Sequence, residues 1–477
     1  MSPRPAIVWL RDDLRLADNP ALLAGCRDAT ERDAALVIVY VLDQMSEDIR
    51  PLGGAARWWL HQSLAALSQS LAQAGQALVL RHGPAEEVLL ALVSETDAAS
   101  VFWNRRYGGG ERAVDSALKA RLKDAGLRVE SFQANLLFEP WTVRTKAGDP
   151  FRVYTPFWKA CRESGTPRAP LDAPSRLPPA AKGIVTDDLV NWSLLPTKPD
   201  WAAGLRDTWR PGESGAGARL DDFVPNRLRR YAAERDQPAA EASSRLSPHL
   251  RFGEISPFQL WQRVAPDMPG TDVADIDKFR SEIGWREFSW HLLFHQPDLA
   301  TRNFQPRFDA FPWPPIDDDA LAAWEEGRTG IPIVDAGMRE LWQTGWMHNR
   351  VRMIVASFLV KNLLVDWRIG EAWFWDTLVD ADAANNPASW QWVAGSGADA
   401  APYFRIFNPV LQGEKFDPDG AYVRRFVPEL ATLPDRQIHA PWKSGVAAAY
   451  PDPIVDLGAT RERALAAFGH MRGEDSD

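Results

Sequence analysis

Cysteine is nearly missing from this chain of 477 residues, in which only Cys26 and Cys161 occur. Two thiols cannot build a disulfide framework or a four-thiolate zinc site, so a secreted disulfide scaffold and a four-cysteine zinc module are both excluded. A reducing, cytoplasmic setting is the expectation. Long apolar runs are lacking as well: nothing approaches the roughly 18 residues that a membrane helix needs. The N-terminal MSPRPAIVWLRDDLRL turns charged after an apolar stretch too short for a signal peptide, so neither a membrane nor a secretory route is expected. There is no basic excess. With 54 Lys and Arg against 64 Asp and Glu, the net charge of -10 argues against a protein that coats nucleic acid through bulk charge, while leaving room for a local basic cleft. The eight histidines form no H-E-x-x-H, and His291 and His295 stand at i, i+4 around an apolar Leu-Leu-Phe, so no metal site is expected. G-x-S-x-G is absent, which removes the usual nucleophile elbow. Gly108, Gly109 and Gly110 do not make G-x-G-x-x-G, so a dinucleotide held in the Rossmann manner is not supported.

Tryptophan, by contrast, is abundant: 22 residues against 7 tyrosines. Most must serve packing, since large aromatic surfaces dominate burial energy, but some could be stacking or redox groups. The length calls for more than one core. Residues 1–135 alternate short buried runs (Ala6 to Leu10, Ala35 to Leu42, Ala77 to Leu80, Ser100 to Trp103, Arg128 to Phe132) with amphipathic stretches that include Gly54 to Ala74, Ala85 to Ser94 and Gly110 to Ala125. This alternation predicts an α/β domain with a doubly wound parallel sheet. Residues 136–225 are punctuated by proline, which blocks long helices, and read as a linker packed over the surface. Residues 226–470 carry helical periodicity and predict an all-α domain, and the acidic end, 471–477, reads as a disordered tail.

Four segments of the helical part could carry chemistry. FRSEIGWREFSWHLLFHQ, from Phe279, sets Glu282, Trp285 and Arg286 on one helix face: an acid that accepts base N–H groups, an indole that stacks and a guanidinium for phosphate. The plainer alternative is a Glu–Arg pair beside a packed Trp. GWMHNRVRMIVASF, from Gly345, repeats the arrangement with Asn349, Arg352 and Met353, and could equally be a helix with one polar stripe. DADAANNPASWQW, from Asp380, is an acidic turn before Trp390; its Asx residues could simply cap helices, and Asp380 is a suitable partner for Arg352. The stretch from Tyr231 ends in Ser243, Ser244, Arg245, Leu246 and Ser247, where hydroxyls, backbone N–H groups and one Arg suit a diphosphate or a capping cluster. Arg227, Arg229, Arg230 and Arg235, followed by Arg245 and Arg251, could contact phosphate or form a solvated helix face.

Taken together these segments resemble the photolyase/cryptochrome family over essentially the whole chain. WLRDDLRLADNPAL at Trp9 and WNRRYGGGER at Trp103 resemble its antenna domain, while SSRLSPHLRFGEIS at Ser243, the tract from Glu282, TGWMHNRVRM at Thr344 and the tract from Asp380 resemble its flavin domain. The resemblance implies a bent FAD in the helical domain, with Tyr231 and the Ser243–Ser247 loop at the diphosphate, Asp380 and Asp382 near ribose and flavin, and Arg352 paired with Asp380. It places Asn386 at flavin N5, where plant photoreceptors carry Asp. Glu282, Trp285, Asn349 and Met353 match the pattern of enzymes that repair cyclobutane pyrimidine dimers; Arg235, Arg286 and Arg350 match positions that touch DNA. Trp390, Trp367 and Trp313 match the tryptophan chain that photoreduces the flavin. Glu111 matches an acid that contacts a folate antenna, so methenyltetrahydrofolate is the first choice of antenna and a deazaflavin the second. GGAARWWLHQSL at Gly53 is similar to bacterial members near the boundary of classes I and III. The implied activity is light-driven repair of dimer-containing DNA by a monomer, the alternative being a cryptochrome-like photoreceptor.

Overall fold

A computed structural model describes residues 3–473 apart from 267, 269, 401–403, 444 and 446–448. Five short strands come first: β1 (Ala6–Leu10), β2 (Leu36–Leu42), β3 (Leu78–His82), β4 (Ser100–Asn104) and β5 (Arg128–Phe132). All pair in parallel in the order β3-β2-β1-β4-β5. Helices α1 (Pro20–Glu31), α2 (Gly54–Gln73), α3 (Ala85–Thr96) and α4 (Gly109–Asp124) make the crossovers. The central strands β1, β2 and β4 are almost wholly buried because the sheet is covered on both sides there, whereas the edge strand β5, RVESF, is only partly buried. Ala6, Val8 and Leu10 of β1 enter one apolar cluster with Trp58 and Trp59 of α2, and Ile7 and Trp9 enter another with Leu89 and Leu118 of α3 and α4.

Doubly wound sheets place ligands at the point where strand order reverses, here between β1 and β4. That crevice is filled by the chain's own polar groups. Arg11 donates to Asp115 at 2.9 Å, and Asn104 donates to Asn19 at 2.8 Å and Asp13 at 2.5 Å. The same loop joins the domains: Arg15 donates to the Gly253 carbonyl and Arg251 to Asp12, each at 2.9 Å. Gly253 has φ +64°, and a Cβ there would run into the Asp12 carbonyl, so glycine is required at this contact.

The proline-rich stretch holds more helix than its composition predicts. It contains α5 (Tyr154–Glu163) and α6 (Glu213–Asn226), the latter crossing the expected start of the helical region at 226. Most of the prolines there fall in the intervals between helices, while Pro156 sits in the first turn of α5 and Pro225 in the last turn of α6. The part between them lies on the sheet edge, where Leu36 N donates to Pro179 O and Leu80 N to Thr186 Oγ1, both at 2.9 Å.

The helical region is built on α7 (Val273–His295), α8 (Pro332–Thr344), α9 (Asn349–Ser357), α10 (Trp367–Thr377), α11 (Asn385–Ala394) and α12 (Leu457–Met471). Asp272 caps α7 by accepting from Ala274 N, and Asp366 caps α10 by accepting from Arg368 N. Of the residues read as a disordered tail, Met471 ends α12, and 474–477 lie outside the described residues. Among the described residues no helix is long and apolar enough to cross a membrane.

Where α7 meets the linker, Glu287 is buried, accepts from Phe138 N at 3.1 Å, and has its carboxyl pushed up to about 7 by burial. A carboxyl that holds its proton more tightly when folded stabilises most at low pH and loses that contribution between the unfolded value of 4.5 and about 7. The loss amounts to at most about 3 kcal/mol. Glu287→Gln should therefore flatten the decline in urea midpoint between pH 5 and 7.5. An identical decline in variant and parent would disprove this assignment.

Candidate cofactor and nucleic-acid site

Asp380 follows α10 and is 9% exposed. Its Oδ2 accepts from Arg352 at 2.8 Å and from Ser247 Oγ at 2.6 Å, and Trp346 Nε1 reaches the same hydroxyl at 3.3 Å. The Arg352–Asp380 pair expected from the sequence is therefore formed, although its members come from α9 and the α10–α11 turn. Asp380 Oδ1 is buried with no hydrogen-bond partner among the described residues. A buried carboxylate oxygen left bare is costly, so it marks a place for a hydrogen-bond donor from outside the chain.

Beside this pair lies an unpaired positive cluster. Arg245 (φ +52°) lies over Trp346 at 4.8 Å, and Arg219 lies over Trp209 at 5.0 Å. Neither has a carboxylate within ion-pair distance among the described residues, and burial with the nearby Arg245 and Arg227 pushes Arg219 down to about 10. Two guanidiniums with no carboxylate in ion-pair range among the described residues, one of them within the Ser243–Ser247 segment, are the chemistry that an anion such as a diphosphate requires. Within that segment Ser244 Oγ accepts from Leu246 N at 3.4 Å. Tyr231 is buried against Phe223 and Phe279, shares an apolar cluster with Leu246, and lies under Arg235 at 5.7 Å.

Asn386, in the first turn of α11, donates both of its amide N–H groups to Glu371: one to the backbone oxygen at 3.0 Å, one to Oε1 at 2.8 Å. Because both partners are acceptors, the amide cannot be reversed, and Oδ1 faces away from Glu371. The oxygens of Asp382 accept from Ala384 N, Asn385 N and Asn385 Nδ2 at 2.6 to 2.8 Å, so it caps the turn into α11, and its Oδ2 takes only one of these bonds.

Trp390 is buried with an unpartnered Nε1 and meets Phe374 at 4.9 Å and Trp324 at 6.3 Å. Trp367 donates to Asn303 Oδ1 at 2.9 Å, and Trp313 packs on Phe311 at 4.4 Å. The described ring contacts of Trp390 are thus with Phe374 and Trp324 rather than with the other two members of the expected chain.

A second face lies on α7 and α9. Trp285 stacks on Tyr154 with centroids 3.7 Å apart and planes 9° from parallel. Tyr154 is itself fixed by donating to Ser281 O at 2.8 Å. Glu282 is held by Arg235 at 2.9 Å and Lys278 at 3.3 Å. Arg350 pairs with Asp236 at 2.8 Å, touches Met353 Sδ at 3.9 Å and lies over Phe416 at 4.3 Å. His348, kept neutral because burial pushes it down to about 3, joins the backbone of Arg235 to the start of α9. Asn349 is exposed on that first turn. Arg286 departs from the predicted trio: it donates to Asn135 O at 2.8 Å, so Arg235 from the preceding loop takes its place beside Glu282. Helical spacing put Arg286 on the right face, but the linker carbonyl captures it.

Glu111 folds back over Gly108 at the start of α4, and Gly109 and Gly110 pack against Pro297 and the Asp48 backbone. Sequence reasoning missed Tyr154, Arg219 and Glu371. Tyr154, Phe157, Trp158 and Cys161 do carry helical spacing, hidden by the surrounding prolines. Arg219 and Glu371 had no distinguishing signal.

An α/β domain whose switch point is closed, joined to a helical domain with an anion site, a bare buried acid and a stacked indole, defines a two-domain cofactor protein that handles aromatic bases. The chain belongs to the DNA photolyase family. Residues 6–176 match the DNA photolyase family model and residues 279–470 match the FAD binding domain of DNA photolyase. It is 55% identical over 478 residues to a deoxyribodipyrimidine photo-lyase of Agrobacterium fabrum, covering 98% of each chain. It is 38% identical to cryptochrome-2 of Arabidopsis thaliana, covering 98% of this chain and 79% of that one. Its fold matches a bacterial class III photolyase from Agrobacterium tumefaciens with a TM-score of 0.94 at 55% identity, covering 99% of this chain and 98% of that one.

Proposed function

We propose that this protein is a class III DNA photolyase that repairs cyclobutane pyrimidine dimers in DNA under blue light, acting as a monomer with FAD and a methenyltetrahydrofolate antenna near Glu111, a deazaflavin being the second choice of antenna. The observation that carries the reading is the Trp285–Tyr154 stack beside the Glu282 carboxylate. When bound and reduced, FAD supplies the electron that light drives onto the dimer and takes it back after the ring opens. The bare Asp380 oxygen and the unpaired Arg219 and Arg245 fit its polar parts.

The protein's own groups do the rest. Trp285 offers a flat face to the extruded dimer, and Tyr154 behind it keeps that face from rotating. Extrusion is favoured because a dimer pairs poorly in the duplex. Glu282, oriented by Arg235 and Lys278, accepts from base N–H groups, and the Asn349 amide can both donate and accept. Met353 lends an apolar edge. Arg235 and Arg350 bring positive charge to the phosphates, while Arg286 ties α7 to the linker at Asn135 O. Asn386, with its Oδ1 turned away from Glu371, would offer a neutral amide oxygen to flavin N5, where the plant photoreceptors carry Asp. Trp390, Trp367 and Trp313 are the proposed carriers for photoreduction.

The test is blue-light incubation of the chemically reduced protein with a dimer-containing oligonucleotide. Thymines should be restored in light and not in darkness. Intact dimers after illumination, with flavin bound and reduced, would exclude repair.

A further inference from the structure

Arg50 belongs to the α/β domain, in the loop between β2 and α2, yet its guanidinium lies against α10. Its two terminal nitrogens grip the two oxygens of Glu371 at 2.7 and 2.9 Å, and its plane rests on Trp375 at 4.1 Å. The loop is anchored on both sides of this contact. Trp375 Nε1 donates to Pro51 O at 2.8 Å, Gly54 N donates to Asp376 Oδ1 at 2.7 Å, and the Asp48 backbone packs on Gly110 of α4. Glu371 is 2% exposed, and its Oε1 takes both the Arg50 bond and the Asn386 bond.

We propose that Arg50 is a positioning residue for Asn386, acting through Glu371. The proposal rests on the reading of Asn386 as the flavin-facing amide. An ionised carboxylate only accepts hydrogen bonds, so it binds the NH2 end of Asn386 and turns the oxygen outward. Without the Arg50 fork the carboxylate is free to turn its Oε1 away from the amide, which lets Asn386 reverse. The two-pronged Arg50 bond gives the acid a cationic partner and fixes its plane. Asn386 therefore presents an acceptor, which favours the reduced, N5-protonated flavin over the oxidised one. The α/β domain thereby contributes to the redox balance of a cofactor held in the other domain.

Spectroelectrochemical titration of the flavin-loaded protein tests this, with flavin content measured alongside. Arg50→Met should shift the reduction equilibrium about tenfold toward oxidised flavin, the scale of losing one charge-assisted hydrogen bond. Arg50→Lys, which keeps the charge without the fork, should fall between and covers the case in which Arg50→Met fails to fold. Asp376→Asn, which loosens the same domain contact but leaves Glu371 gripped, should not move the equilibrium. In an Asn386→Ser background the Arg50→Met shift should vanish. An equal shift in both backgrounds would overturn the proposal, because charge would then be acting directly, and so would no shift at all where Asn386→Ser alone gives one. If Asn386→Ser leaves the equilibrium unmoved, the flavin-facing reading itself is wrong and the proposal falls with it.

Discussion

Trp285→Ala will weaken binding of dimer-containing oligonucleotides about a hundredfold while leaving flavin content unchanged. Stacking contributes roughly 1–3 kcal/mol per base, and a dimer presents two linked bases to one indole. The platform is already formed, since Trp285 lies 3.7 Å from Tyr154 and nearly parallel to it, so little ordering is left to be done on binding. Undamaged duplex should bind the variant and the parent alike, because phosphate contacts elsewhere are untouched. Fluorescence anisotropy with both oligonucleotides separates the two effects. Arg286→Ala provides the contrast: its guanidinium is spent on Asn135 O, so the change should lower the melting temperature and barely alter dimer affinity. An unchanged dimer affinity in Trp285→Ala would remove the indole from the lesion site.

Asp380→Asn should yield a protein that loses most of its flavin on gel filtration and unfolds at lower temperature. The substitution keeps the shape but leaves Arg352 without its anion, and breaking a largely buried pair in this way costs about 3–5 kcal/mol. Arg352 is also tied to Met347 O at 2.7 Å, so it cannot simply swing into water. Titration of apoprotein with FAD should show affinity reduced by about two orders of magnitude, the part of that cost expressed in binding. Full flavin occupancy with an unaltered melting temperature would show that Asp380 is dispensable to the site.

The central strands were legible because β1, β2 and β4 are buried runs between turn residues, dry on both faces. The prediction went astray where proline density stood in for structure: α5 and α6 form although each contains a proline, Pro156 and Pro225, and α5 supplies the tyrosine under Trp285. The Arg352–Asp380 pair was legible because a lone acidic turn and a lone arginine stripe each lacked a partner nearby. The capping role of Asp382 was not separately legible, since a carboxylate before an Asn-Asn turn has backbone N–H groups within its own reach.

Local pattern alone was enough for the two-domain architecture, the helix that carries Glu282 and Trp285, and the turn that carries Asp380 and Asn386, because periodicity and capping act over a few residues. Which arginine serves which acid was settled only by packing. Arg286 is drawn off by a linker carbonyl, Arg235 replaces it at Glu282, and Arg50 crosses from the other domain to Glu371. Charge pairing depends on distance in space, and these partners lie tens to hundreds of residues apart along the chain.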